Sequence, residues 1–404
     1  MLKAISATTL LSPETLNNPY PFYHQLRREA PVWRVPETDI FVVSSYSLLE
    51  EAAHRTTDFS SNMRSLVYRS ATGEPACLSM GDNKMQVLAT ADPPQHGEHR
   101  KILTPLFTPK KLSALETDIR AVAENCIDTA VRNGGAEFMS EVANIVPISI
   151  IDRMLGFKGA DLNYLLQAAF DSTSVVGGVL SETELVETGM RAFAIFGWVS
   201  EQLERATPNG DAVLSILKAL VNAGTLDMQY AVGMVHLLLS AGGESTTSLI
   251  GNAVRILADD AVLQQKLRAQ PDQIAPFLEE VLRFESPFRS HLRSIPRETT
   301  LGGITIPAGA LVLMFWAAGN RDPDMFENPD QFDIDRPRKH MTFGRGIHMC
   351  LGAPLARLEA KIVLQVLLEH TNNFSLNADN KPEWVESLQV RRYAKLPVIL
   401  SEKL

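Results

Sequence analysis

The sequence predicts a mainly α fold with small β-sheets, and three observations carry that prediction. Apolar residues recur at three- and four-residue spacing through most of residues 96–257, which lays one continuous stripe along each helix. Short β-like runs lie at 32–34 and 40–43 and return near 300–313, each bounded by turn residues. No Pro/Gly/Ser-rich linker or charge block divides the 404 residues, so a single domain over 1–404 is expected.

Taken in order, 21–29 reads as a helix, 32–34 and 40–43 as strands, and 45–54 as a helix. Residues 59–92 carry Gly73, Pro75 and Gly81 without a sustained period. A stretch that long is expected to be an irregular loop covering a binding site. Helical spacing follows over 112–131, 148–155, 180–207 and 211–223, with Pro208-Asn209-Gly210 as a break. The longest helical run is 227–259, and its centre at 235–243 is apolar on nearly every face, which places it in the middle of the molecule. A helix over 273–284, two short strands with a turn at Pro307-Ala308-Gly309, a helix over 351–370 and a β-rich tail complete the chain.

Composition narrows the function. With 38 Lys and Arg against 47 Asp and Glu the net charge is −9, which disfavours a nucleic-acid binder. Cys77, Cys126 and Cys350 are too few and too scattered for a disulfide framework or a Cys-rich zinc site, and they fit a reducing cytoplasm. The first 13 residues lack the cationic head and apolar run of a signal peptide, and no apolar run of about 20 residues suggests a membrane span.

Chemistry concentrates in four places. In Thr342-Phe343-Gly344-Arg345-Gly346-Ile347-His348-Met349-Cys350-Leu351-Gly352-Ala353, a lone Cys follows two turn-forming glycines and stands at the start of an apolar helix. Backbone donors and the helix end favour a thiolate there, so a metal ligand or nucleophile competes evenly with a structural Cys. His96 and Arg100 are four apart at a helix start, and Glu280 and Arg283 share a helix face. Ala241-Gly242-Gly243-Glu244-Ser245-Thr246-Thr247 interrupts the most apolar helix with an acid and three hydroxyls, which are costly in a buried setting without partners. A serine-hydrolase elbow at Gly243-Glu244-Ser245 is disfavoured, because Thr247 stands where a second Gly is needed and the segment is helical.

The loop matches F-G-x-G-x-H-x-C-x-G at every specified position and resembles the haem-binding loop of the cytochrome P-450 monooxygenases. The resemblance extends over nearly the whole chain. It implies a cytochrome P-450 fold of the soluble bacterial type, with haem b (iron protoporphyrin IX) between the long central helix and the Cys-loop helix. Cys350 becomes the axial thiolate and metal ligand, with Phe343 over the sulfur, Gly344 in the turn and Gly352 permitting close approach. His96, Arg100, Arg293 and His348 stand where the family places propionate partners. Ala241 and Gly242 match an oxygen groove formed by a local opening of the helix, with Glu244 the proton-delivering acid. Ser245 stands where the family usually has Thr, so Ser245 and Thr246 both remain candidates for the relay hydroxyl. Glu280, Arg283 and Arg336 match a structural network behind the Cys loop.

The implied reaction is hydroxylation by O2, with NAD(P)H electrons arriving through a separate ferredoxin or flavodoxin. Family position puts 78–87, 170–176, 237–242, 287–292 and 389–392 around the substrate, with Leu237, Phe288, Arg289, His291 and Val390 as candidates. Most are apolar, so a small or medium hydrophobic substrate is expected, with Arg289 contacting a polar or anionic group on it. A basic face of Arg336, Arg338, Lys339, Arg345, Arg100, Lys101, Lys110 and Lys111 is expected to steer the redox partner, and the protein to be a monomer. The alternatives are an H2O2-dependent peroxygenase and a non-catalytic haem sensor.

Overall fold

The structure is a computed structural model that describes residues 5–81, 85–337 and 339–402. Arg338 and part of the 78–87 segment therefore lie outside the described residues.

Two strands near the N-terminus, β1 (Val32–Arg34) and β2 (Ile40–Val43), pair antiparallel. The segment after Phe59 contains a hairpin, β3 (Ser65–Arg69) with β4 (Pro75–Ser79), in place of the expected irregular loop. Its Leu66-Val67-Tyr68 run is β-branched and aromatic, and its turn carries Gly73, a strand signal that the surrounding polar residues obscure.

The helices that frame the site are α1 (Gln95–Leu103), α2 (Glu116–Arg132), α3 (Ile145–Leu155), α4 (Leu162–Val175), α5 (Glu182–Arg205), α6 (Met228–Ala258), α7 (Ile274–Phe284) and α8 (Ala353–His370). The capping box of Ser181 and Glu184 fixes the start of α5, and Gly156, in the left-handed region, ends α3. Central α6 packs against α3, α4, α5, α7 and α8, which accounts for its apolar circumference. Contact with α3 and α4 is close because two side chains are missing. A Cβ on Gly242 would lie 2.5 Å from Ile151 Cδ1, and one on Gly243 would lie 2.8 Å from Ala169 Cβ.

Strand β5 (Gly135–Glu137) joins β8 (Thr371–Leu376) and β9 (Pro397–Glu402) in an antiparallel sheet ordered β8-β9-β5. The other sheet is ordered β1-β2-β7-β6, with β6 (His291–Ser294) antiparallel and β2 parallel to β7 (Leu311–Met314). Along β6, Leu292 and Ser294 are buried while His291 and Arg293 are half-buried, so the latter two share the face turned to the site. No helix among the described residues is long and apolar enough to cross a membrane.

Candidate active site

The Cys350 loop is shaped by backbone. Gly344 and Gly346 both have positive φ, and a Cβ on Gly346 would stand 2.7 Å from the Ala53 carbonyl oxygen. The Cys350 N–H donates to the Phe343 carbonyl at 2.8 Å, closing the turn just before α8. Backbone N–H groups of Gly352 and Ala353 point at the sulfur, and the Gly352 Cβ position lies 4.0 Å from Sγ. Cys350 is exposed. Burial there pushes its thiol above the ordinary value, opposed by those two N–H groups and by Arg100 and Arg357. A metal cation bound to the sulfur would offset that burial and favour the thiolate. The Arg357 guanidinium stands 4.5 Å from the Phe343 ring centroid.

The otherwise buried middle of α6 exposes Ala241 and leaves Leu237, Leu238 and Ser245 half-buried. The helix stays continuous through 241–247, so the expected local opening is absent. Three hydroxyls turn back onto its own carbonyls: Ser245 Oγ donates to the Ala241 carbonyl at 2.8 Å, Thr247 to Gly243 at 3.2 Å and Ser248 to Glu244 at 2.9 Å. Gly242 lets α6 pack closely against Ile151 while remaining half-buried itself.

Basic groups gather at one end. Arg100 donates to the Met349 carbonyl at 2.8 Å, and His348 Nε2 lies 3.0 Å from Ser61 Oγ with its ring 4.3 Å from that of His96. Arg293 uses one N–H on its own strand's Leu292 carbonyl. Burial lowers Arg293 to about 10 and His348 to about 3, the latter helped by Arg293, and lowers His96 as well. Among the described residues neither Arg100 nor Arg293 forms an ion pair. Two guanidiniums without carboxylates, one of them bonded to the residue before an exposed thiol, fit a dianionic metal-bearing group such as haem.

Glu244 is buried, but its carboxylate is turned away from the groove. Oε1 accepts from Arg392 Nε at 2.7 Å and Oε2 accepts from Thr173 Oγ1 on α4. Thr246 is also buried. Behind the Cys loop, Glu280 and Arg283 form a bidentate pair at 2.7 and 2.8 Å, and Arg336 Nε approaches Glu280 at 3.5 Å.

Of the pocket candidates, Leu237, Phe288 and His291 are half-buried, and Phe288 bridges to buried Val390. Arg289 requires correction. It is 2% exposed and donates to the carbonyls of Val390, Leu16 and Ser387, so the guanidinium is buried among backbone and not presented to a substrate. A buried guanidinium stays in place only where carbonyls saturate it, and here it ties 387–390 to the N-terminal segment. His291 Nδ1 accepts from Trp316 Nε1 at 2.8 Å, so its own proton resides on Nε2. Burial first, then Arg293, holds its pKa near 3, and the ring is neutral at ordinary pH.

The basic face also changes. Arg336 is only 9% exposed and belongs to the buried network, Lys101 pairs with Glu98, and Lys111 pairs with Asp211. Sequence reasoning placed Thr173 and Arg392 only within the pocket ranges 170–176 and 389–392, without their bonds to Glu244, and missed the Glu279–Arg357–His340 cluster and Glu359. Only Glu359 left a local trace, an acid at helical spacing between Leu355 and Ile362 on an apolar face.

A family model described as Cytochrome P450 matches residues 199–391. Cytochrome P450 144 of Mycobacterium tuberculosis is 35% identical over 401 residues, covering 98% of this chain and 92% of that protein. The Vitamin D(3) 25-hydroxylase of Pseudonocardia autotrophica is 31% identical over 403 residues, covering 98% and 96%. The crystal structure of CYP109E1 from Bacillus megaterium in complex with testosterone superposes with a TM-score of 0.83 at 28% identity, covering 96% and 99% of the two chains.

Proposed function

The chain belongs to the cytochrome P450 family and is a monooxygenase, and on that premise we propose that, as one domain, it hydroxylates a small to medium hydrophobic molecule using O2 and electrons from a separate ferredoxin or flavodoxin. The observation that carries this reading is Cys350, exposed just before α8 and receiving two backbone N–H groups, together with exposed Ala241 in the otherwise buried middle of α6.

Haem held there supplies the iron at which O2 is activated, and the thiolate adds electron density that assists O–O cleavage. Arg100, Arg293, His96 and His348 would hold its carboxylates, the two guanidiniums neutralising charge where burial makes an unpaired anion costly. Ala241 gives a side of α6 small enough for close approach, and Ser245 sets a hydroxyl beside it. Leu237, Phe288 and Val390 exclude water from the target carbon, and holding that carbon in place is the protein's principal kinetic contribution.

His291 offers a neutral Nε2–H of fixed tautomer on the strand face it shares with Arg293. It suits a substrate acceptor such as a carbonyl or hydroxyl oxygen. A relative named for vitamin D(3) and a structure bound to testosterone support a substrate that is mostly apolar with few polar groups.

The test is spectroscopic. The reduced carbonyl adduct of the purified protein is expected to show the red-shifted Soret band of sulfur ligation, and Cys350→Ala to lose it. An unshifted band in the wild type overturns the proposal. Titration with a compound panel, read as the low-spin to high-spin change, then identifies the substrate class.

A further inference from the structure

We propose that the cleft between α2 and α3 is a second binding site for a lipophilic ammonium ion, an amine cation held by the Asp152 carboxylate with its hydrocarbon body against Val122, Ile150 and Phe157. The monooxygenase reading uses none of these residues, so the two proposals stand or fall separately.

The cleft has a volume of about 510 Å³, in the range of small-molecule sites, and Asp152, Val122, Ile150 and Phe157 all line it. It is distinct from the site at Cys350. Ile151, the residue of α3 that meets Gly242 of α6, is not part of its lining.

Two carboxylates line the cleft, and only one of them is answered. Asp118 Oδ1 of α2 pairs with Arg153 Nη1 of α3 at 2.8 Å. Asp152 is half-buried, and its Oδ1 is buried without a hydrogen-bond partner. Burial is the influence that acts on it, and it raises the pKa with no cation to oppose it. A carboxylate drawn out of water with neither donor nor counter-ion is costly, and a cation entering the cleft removes that cost.

The rest of the lining sets the chemical class. Ser149 spends its hydroxyl proton on the Ile145 carbonyl at 2.7 Å, so toward the cleft it can only accept. With Arg153 taken up by Asp118, the unmet demand is for a positively charged donor. A divalent metal needs several oxygen ligands, and no group of three or more acidic, His or Cys side chains stands together among the described residues. An inorganic ion would also gain nothing from the apolar wall. That wall is preformed, since the Phe157 ring is fixed edge-on against Trp198 with centroids 4.6 Å apart. An ammonium group carrying a hydrocarbon chain or ring satisfies both halves of the cleft.

The test is calorimetric titration of the haem-loaded protein with phenethylammonium, its iron side blocked by a bulky aryl-imidazole. Phenethyl alcohol and hydrocinnamate serve as the neutral and anionic analogues. One-site binding of the ammonium is expected, with both analogues at least about tenfold weaker, the worth of a charge-assisted hydrogen bond. Asp152→Asn is expected to weaken the ammonium by about the same factor and to leave the alcohol unchanged. Val122→Trp, which fills the cleft, is expected to weaken the ammonium as well, and it covers the case that Asp152→Asn does not fold. Absence of binding at millimolar ammonium, equal affinity for the three probes, or wild-type affinity in either folded variant overturns the inference. Should the wild-type carbonyl adduct lack the red-shifted Soret band, the monooxygenase reading fails, and the same titration without the aryl-imidazole still decides this one.

Discussion

Two buried glutamate–arginine pairs, one behind the Cys loop and one on α6, differ in how completely the arginine is used. Behind the Cys loop, Arg283 spends all five of its N–H groups, on Glu280 Oε1 and Oε2 and on the carbonyls of Asn320, Pro329 and Gln331. Glu280 Oε1 also accepts from the Asp333 N–H at 2.9 Å. On the other side, Arg392 gives Glu244 one bond at 2.7 Å, reaches the Tyr393 carbonyl at 3.4 Å, and lies over the Phe170 ring at 4.0 Å. The same two residue types build a rigid wall in one place and a single-contact latch in the other. Saturation of the partner set, more than burial, separates them.

The contrast is sharpest when each arginine is removed. Arg283→Ala is expected to cost about 3–5 kcal/mol, because it strands Glu280 and three carbonyls. Chemical denaturation and earlier haem release on heating would report it, and Arg283→Lys is expected not to rescue, since an ammonium has three donors for five acceptors. A loss below that of Arg392→Met would break the comparison.

The second saturated cluster behind the loop gives a pH test. Burial alone would raise Glu279, but hydrogen bonds from Arg357 and then His340 outweigh it and bring its pKa to about 2. His340 itself is lowered, mainly by burial, so it acts as a neutral donor and Arg357 carries the charge. A carboxyl depressed by folding stabilises above its unfolded pKa, and that contribution is lost as pH falls from about 4.5 to about 2. About 3 kcal/mol is at stake on that basis. Urea melts across this window are expected to show the loss, and Glu279→Gln to flatten it.

On the latch side, Arg392→Met is expected to cost about 2 kcal/mol, the value of a charge-assisted bond whose acceptor keeps a second partner. A loss equal to that of Arg283→Ala would mean that the two pairs are alike. The smallest effect belongs to the pocket. His291→Phe is expected to weaken spin-shift titrations of ligands bearing an acceptor oxygen by about fivefold, roughly 1 kcal/mol, and to leave their hydrocarbon analogues unchanged.

Local pattern disclosed the helices, the first two strands and the Cys loop, since each is written in a spacing of two, three or four residues. The region 65–79 escaped because its strands carry polar residues among their apolar ones. Arg289 was misread for a different reason. Its sequence neighbours say it is near the pocket, but the carbonyls that consume it come from Leu16 and from 387–390, far away in the chain. Arg392 and Arg357 were invisible likewise, each meeting its glutamate across 148 and 78 residues. Glu280 and Arg283 were legible because three residues separate them.

The paired glycines at 242 and 243 bear on the width of the site. With Ile151 Cδ1 and Ala169 Cβ where their side chains would extend, α6 rests directly on α3 and α4. A methyl group at either position acts as a shim: it lifts the middle of the helix from its bed and carries Ala241 and Ser245 with it. The gauge of the space left for a flat ring is thus set on the far side of the helix, by atoms that never touch it.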